Sequence, residues 1–97
     1  MAVTGDEGGF ISSEQAEEWI NNFQETYPEE IFAHLVGKNK LASVVQQQGC
    51  LGIRIYNGVD SSGVKKIIIY GVDANGDGLT NYILDQAQPC PPYCGRP

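Results

Sequence analysis

The chain predicts an α+β fold: two amino-terminal helices packed on a small antiparallel sheet of about three strands. Three observations carry this. Apolar residues recur at helical spacing up to residue 48 and switch to strict alternation after residue 50. The strands so marked then follow one another through short polar turns. With 97 residues the chain suits one domain, and 41% hydrophobic against 19% charged residues is a globular rather than a disordered balance.

Residues 1–10 are acidic and glycine-rich and are expected to form a flexible leader. Ser12 and Gln15 then stand as an S-x-x-Q capping box at the start of a helix. Ala16, Trp19, Ile20, Phe23 and Tyr27 give that helix one apolar stripe, and Pro28 ends it. Glu14, Glu17 and Glu18 lie in its first turns, where the helix dipole favours negative charge. Residues 31–36 are apolar on balance and stay open between a helical turn and a short strand. Residues 38–48 carry Leu41, Val44 and Val45 at helical spacing, and Gly49 closes this second helix.

Leu51, Ile53 and Ile55 alternate with Gly52, Arg54 and Tyr56, which marks a strand with one buried face. An Asp60-Ser61-Ser62-Gly63 turn leads into a second strand over residues 64–72, whose Ile67-Ile68-Ile69 run implies partial cover on both faces. Residues 79–84 offer a third strand. The expected domain therefore runs over residues 11–85. Residues 86–97 hold four of the five prolines and two of the three cysteines, and read as an extended tail without regular structure.

The runs Gly49-Cys50-Leu51-Gly52-Ile53-Arg54-Ile55-Tyr56 and Ile69-Tyr70-Gly71-Val72-Asp73-Ala74-Asn75-Gly76, with the closing Cys90-Pro91-Pro92-Tyr93-Cys94-Gly95, resemble a family of small bacterial proteins without an assigned role. The resemblance covers residues 12–95 and implies a single domain whose tail has a purpose. It brings no activity, cofactor or catalytic residue.

Twelve acidic against six basic residues leave a net charge of −6, which disfavours nucleic acid and anionic membranes as partners. No apolar run is long enough for a membrane span, and residues 1–10 lack a basic region followed by an apolar one, so a cytoplasmic location is expected. His34 is the only histidine and has no nucleophile or acidic partner at a telling spacing. Glu29 and Glu30 are adjacent and point apart on a helix. An enzyme is not expected.

The sharpest site motif is Asp73-Ala74-Asn75-Gly76-Asp77-Gly78-Leu79-Thr80-Asn81, the first nine positions of an EF-hand calcium loop. Asp73, Asn75 and Asp77 would offer side-chain oxygens, Leu79 its carbonyl, and Asn81 a direct or water-mediated ligand. The twelfth position is Leu84 instead of a bidentate carboxylate, and Asp85 comes one residue late. The competing reading is a hairpin loop, because Asn-Gly and Asp-Gly are preferred turn dipeptides. No cofactor is expected from the sequence, and calcium is the one this loop would take.

Cys90 and Cys94 are three residues apart, unlike a C-x-x-C redox site, and extended proline geometry holds them apart unless the chain turns tightly. Cys50, Cys90, Cys94 and His34 are the right residue types for zinc but lack paired spacing. Cys50 is expected to be a small apolar core residue, with the tail thiols exposed. Arg54, Tyr56, Tyr70 and Tyr82 are expected on the outer face of the hairpin, a composition suited to protein binding, and Tyr93 presents a further aromatic from the tail. Cross-strand pairing that merely stabilises the sheet is the alternative use of these tyrosines. The expected function is a non-enzymatic protein-binding or assembly module acting through the sheet face or edge and the tail, by an unknown partner or by self-association. Calcium binding and a thiol redox or zinc site are the alternatives.

Overall fold

The computed structural model of the chain describes residues 2–97. Its elements in order are α1 (Ser13–Thr26), β1 (Ala33–Leu35), α2 (Lys38–Val45), β2 (Gly52–Val59), β3 (Lys65–Val72), β4 (Gly78–Leu84) and β5 (Gln88–Cys90). The α+β class holds, but the strands form two antiparallel sheets rather than one: β2-β3-β4 and β1-β5. The chain divides into two compact units, residues 2–7 with Val36–Ala87, and Gly8–Leu35 with Gln88–Pro97. Among the described residues no helix is long and apolar enough to cross a membrane.

In the first unit β2 and β3 run in unbroken register from Gly52↔Val72 to Val59↔Lys65. Alternation then puts Ile53 and Ile55 on one face with Gly71 and Ile69, and Arg54 and Tyr56 on the other with Tyr70 and Ile68. Helix α2 packs on the sheet, chiefly against β4. Val44 and Ile69 are the centre of the packing, at 2% and 3% exposure. Gly71 lets the helix come this close: a Cβ there would lie 3.0 Å from Cys50 Sγ and Gln47 Nε2 and 3.1 Å from the Val44 carbonyl.

Helix α2 stops at Val45, short of the expected residue 48, and Val45 itself is exposed. Gln47 accounts for the early stop, since its side-chain Nε2 donates to the Val44 carbonyl (2.9 Å) and takes one of the orphan acceptors of the last turn. Residues 2–7 lie along this unit, with Val3 N donating to the Ala74 carbonyl (2.9 Å).

The second unit holds α1, whose start follows the capping signal: Ser12 Oγ accepts from Gln15 N (3.1 Å). The return half of the box is not made, because the Gln15 carboxamide donates to Glu18 Oε2 instead. The rings of Phe23 and Tyr27 meet at 5.0 Å, yet no residue of α1 is buried. The open segment at residues 31–36 resolves as β1, paired Ala33↔Cys90, His34↔Pro89 and Leu35↔Gln88.

That pairing corrects the expectation of a tail without regular structure. Proline is tolerated in a two-stranded ribbon wherever its missing N–H falls outside the ladder, so Pro89 does not stop β5. A further bond from Phe32 N to the Cys90 carbonyl (3.0 Å) extends the contact.

Candidate interaction surface

The three-stranded sheet has two edges. At the β4 edge the pairing runs Val72↔Gly78 and Gly71↔Leu79, then jumps to Tyr70↔Ile83 and Ile69↔Leu84. Thr80, Asn81 and Tyr82 are left as a bulge, which interrupts the ladder. Gln47 holds the bulge. Its Oε1 accepts from Tyr82 N (3.1 Å) and its Nε2 approaches the Tyr82 carbonyl (3.4 Å), so a side-chain amide serves backbone groups that the bulge leaves without a β3 partner. Gln47 and Gly71 were missed by the sequence reading, and neither carries a local signal for its role.

At the opposite edge β2 is eight residues long, GIRIYNGV, with one charge and neither lysine nor proline. Ile53, Ile55, Tyr56 and Val59 are all exposed, Val59 at 72%. Arg54 and Tyr70 are direct cross-strand partners, and the rings of Tyr56 and Tyr70 meet edge to face at 5.5 Å and 78°. Register thus brings together three of the five expected contact residues. The aromatic pair also stabilises the hairpin, so both uses of these tyrosines are open to the same geometry. Tyr82 lies apart from them in the β4 bulge and is exposed. Tyr93 is exposed in the second unit, its N–H donating to the Pro89 carbonyl (3.0 Å).

The two hairpin turns are built alike. In Asp60-Ser61-Ser62-Gly63-Val64 the Asp60 carboxylate accepts from Ser62 N (2.8 Å) and Val64 N (2.9 Å). In Asp73-Ala74-Asn75-Gly76-Asp77 the Asp73 carboxylate accepts from Asn75 N (2.9 Å) and Asp77 N (3.0 Å). Gly63 and Gly76 take the same left-handed backbone, at φ of 84° and 85°. Each turn places one residue where an L side chain would be strained, which is why both carry glycine there.

The candidate calcium ligand Asp73 therefore serves the same turn as Asp60, which has no calcium motif. Strand β4 begins at Gly78, so Leu79 and Asn81 run out along an extended chain rather than curling round a centre. Arg54 Nη1 donates to the Gly76 carbonyl (2.8 Å), setting a guanidinium beside the loop. Among the described residues no group of three or more His, Cys, Asp or Glu side chains is arranged to hold a metal ion.

Cys90 and Cys94 are joined in a disulfide, with Cα atoms 4.9 Å apart. The expectation of exposed tail thiols is thereby corrected: the 91–93 turn brings the two sulfurs together, and Cys90 is buried at 6% exposure. The Cys90–Pro91 and Pro91–Pro92 peptide bonds are cis. Cys50 is the free cysteine; it is half-buried and its Sγ donates to the Gly52 carbonyl (3.2 Å). Among the described residues His34 Nε2 is buried without a hydrogen-bond partner, on a residue that is itself only half-buried.

Two carboxylates are held ionised by their surroundings. Glu7 is lowered to about 2, first by the Thr4 N–H, with its own and the Gly5 N–H adding to it. Asp60 is lowered chiefly by the Val64 N–H, then by that of Ser62 and by Lys66, 4.0 Å away. These interactions fasten turns and leave no poised acid or base in either. No protein-family model, curated protein or solved structure matches the chain.

Proposed function

We propose that the chain is a non-enzymatic protein-binding or assembly module working through the β2 edge and the Arg54–Tyr56–Tyr70 face beside it. The observation that carries this reading is the asymmetry of the sheet: one edge strand is broken by a bulge, the other is long, apolar and in unbroken register. Exposed tyrosine and arginine beside such an edge have the composition of protein contact surfaces. The net charge of −6 disfavours nucleic acid as the partner.

The reading is tested by Tyr56→Ala and Arg54→Ala, with circular dichroism to confirm the fold. Loss of self-association or of binding to a purified partner in these variants supports the module. Retention of both in each variant removes the sheet face from consideration. Deleting residues 86–97 is a poor test, because β1 would lose its partner strand. Tyr93→Ala examines the tail without that damage.

The Cys90–Cys94 disulfide favours a second reading, a thiol–disulfide site in the tail. Cys94 is exposed, so its sulfur is open to an attacking thiolate. The bond also favours an oxidising compartment over the cytoplasm as the working location. Titration in glutathione buffers tests it: cycling near a cellular redox poise supports a redox role, and resistance to reduction supports a fixed staple. Calcium binding at the Asp73 loop is the weaker proposal, since the Asp73 carboxylate is already engaged by two backbone N–H groups.

A further inference from the structure

We propose that β2 pairs antiparallel with β2 of a second copy of this chain, about a two-fold axis through Ile55, so that two three-stranded sheets become one continuous sheet. The proposal rests on the assembly reading above and names its partner.

Asp60 N donates to the Val64 carbonyl (3.0 Å), which fixes residue 60 as one whose polar groups face β3. In an antiparallel ladder this property alternates. Gly52, Arg54, Tyr56 and Gly58 therefore bond to β3, and Ile53, Ile55, Asn57 and Val59 turn their N–H and C=O groups outward. Among the described residues these outward groups meet no hydrogen-bond partner. A row of such groups is a template for another strand.

The side chains then select a second copy. Outward groups pair with outward groups, so the register Ile55 to Ile55 sets Ile53 against Asn57 of the second copy and forms about six new backbone bonds. The same register sets Arg54 against Tyr56 of the second copy, twice by symmetry, so the one charge of the strand faces a neutral residue while keeping its bond to the Gly76 carbonyl. It also sets Gly52 against Gly58, two positions without side chains, with Val3 of the same copy beside Gly52. A register centred on Arg54 instead would oppose two guanidinium groups, and like charges directly opposite are destabilising. Arg54 is the only charge on the strand, so the pairing meets no other electrostatic obstacle along its length.

The test is sedimentation velocity on the full chain, from low micromolar to near-millimolar concentration. Dimerisation is expected in the natural sequence. Asn57→Pro removes only an outward N–H and is expected to leave the β2–β3 ladder intact while weakening the dimer at least about tenfold. Ile55→Lys places a charge on an exposed edge position and is expected to act likewise. Thr80→Lys, on the bulged opposite edge, is expected to leave association unchanged. Circular dichroism shows whether each variant is folded, and two variants of different chemistry keep the test decisive if one is not. A dimer that survives both β2 substitutions overturns the pairing while leaving self-assembly standing. A monomer at every concentration overturns the pairing, and the module reading then rests on binding to a different protein.

Discussion

The two edges of the three-stranded sheet have been treated in opposite ways. At β4 the chain inserts Thr80, Asn81 and Tyr82 as a bulge and gives the Tyr82 backbone to the Gln47 side chain, beneath a helix that packs chiefly on that strand. At β2 there is no proline, no lysine and no slip in register from Gly52 to Val59, and Arg54 is the single charge. An open edge is an aggregation hazard, and this small chain interrupts one side with a bulge held by a glutamine 35 residues away in sequence. The contrast is the main reason for assigning binding to β2.

Substitutions that dislodge the cover of the β4 edge should have the largest effect on stability. Gly71→Ala forces a methyl group against the Val44 carbonyl, the Cys50 sulfur and the Gln47 amide, and a backbone carbonyl cannot swing aside. A loss of about 1–3 kcal/mol is expected in urea unfolding, as for other overpacked sites. Gln47→Ala should cost less, about 1 kcal/mol, by leaving the Tyr82 N–H and the helix end without partners. Its diagnostic consequence lies in exchange: the amide of Tyr82 should lose protection while those of β3 keep theirs. If Gln47→Ala leaves Tyr82 protected, the glutamine is not what holds the bulge.

The two aspartate turns give smaller and more specific effects. Asp60→Ala and Asp73→Ala should each lower the melting temperature modestly and similarly, since each carboxylate accepts from two backbone N–H groups. Calcium should change neither melting point if Asp73 serves only the turn; a rise for the natural chain that Asp73→Ala abolishes would restore the calcium reading. The folded-state pKa of Asp60 is lowered, so its contribution is present above the ordinary carboxylate range and fades as pH falls through the lower value. Glu7 follows the same sign with a wider window. Its contacts to Thr4 and Gly5 should persist below 4.5 and open only as pH approaches about 2, observable by NMR titration of the Thr4 amide.

Much of the first unit, and the start of α1 in the second, was legible in the sequence because the signals are local. The alternation from Leu51 to Tyr56 and the Asp-x-x-Gly turns locate β2, β3 and β4 to within a residue or two, and Ser12 locates the start of α1. The five-residue likeness of the two turns was also present in the letters, as Asp60 to Val64 and Asp73 to Asp77. The β1–β5 ribbon was not legible, since three residues without alternation find a partner near the other end of the chain. The same holds for the bulge, which depends on a glutamine in another element, and for Gly71, whose role exists only once α2 is seated. That β2 is an edge is a property of strand order, which no stretch of residues announces.

Hydrogen exchange of the β2 amides, followed by NMR at low and high protein concentration, tests the open edge most directly. Arg54 and Tyr56 face β3 and should be protected at both concentrations. Ile53, Ile55 and Asn57 should exchange freely when dilute and become protected as the chain associates. Free exchange of these three amides at every concentration, or protection of them in the dilute monomer, would contradict an edge held open for a second copy.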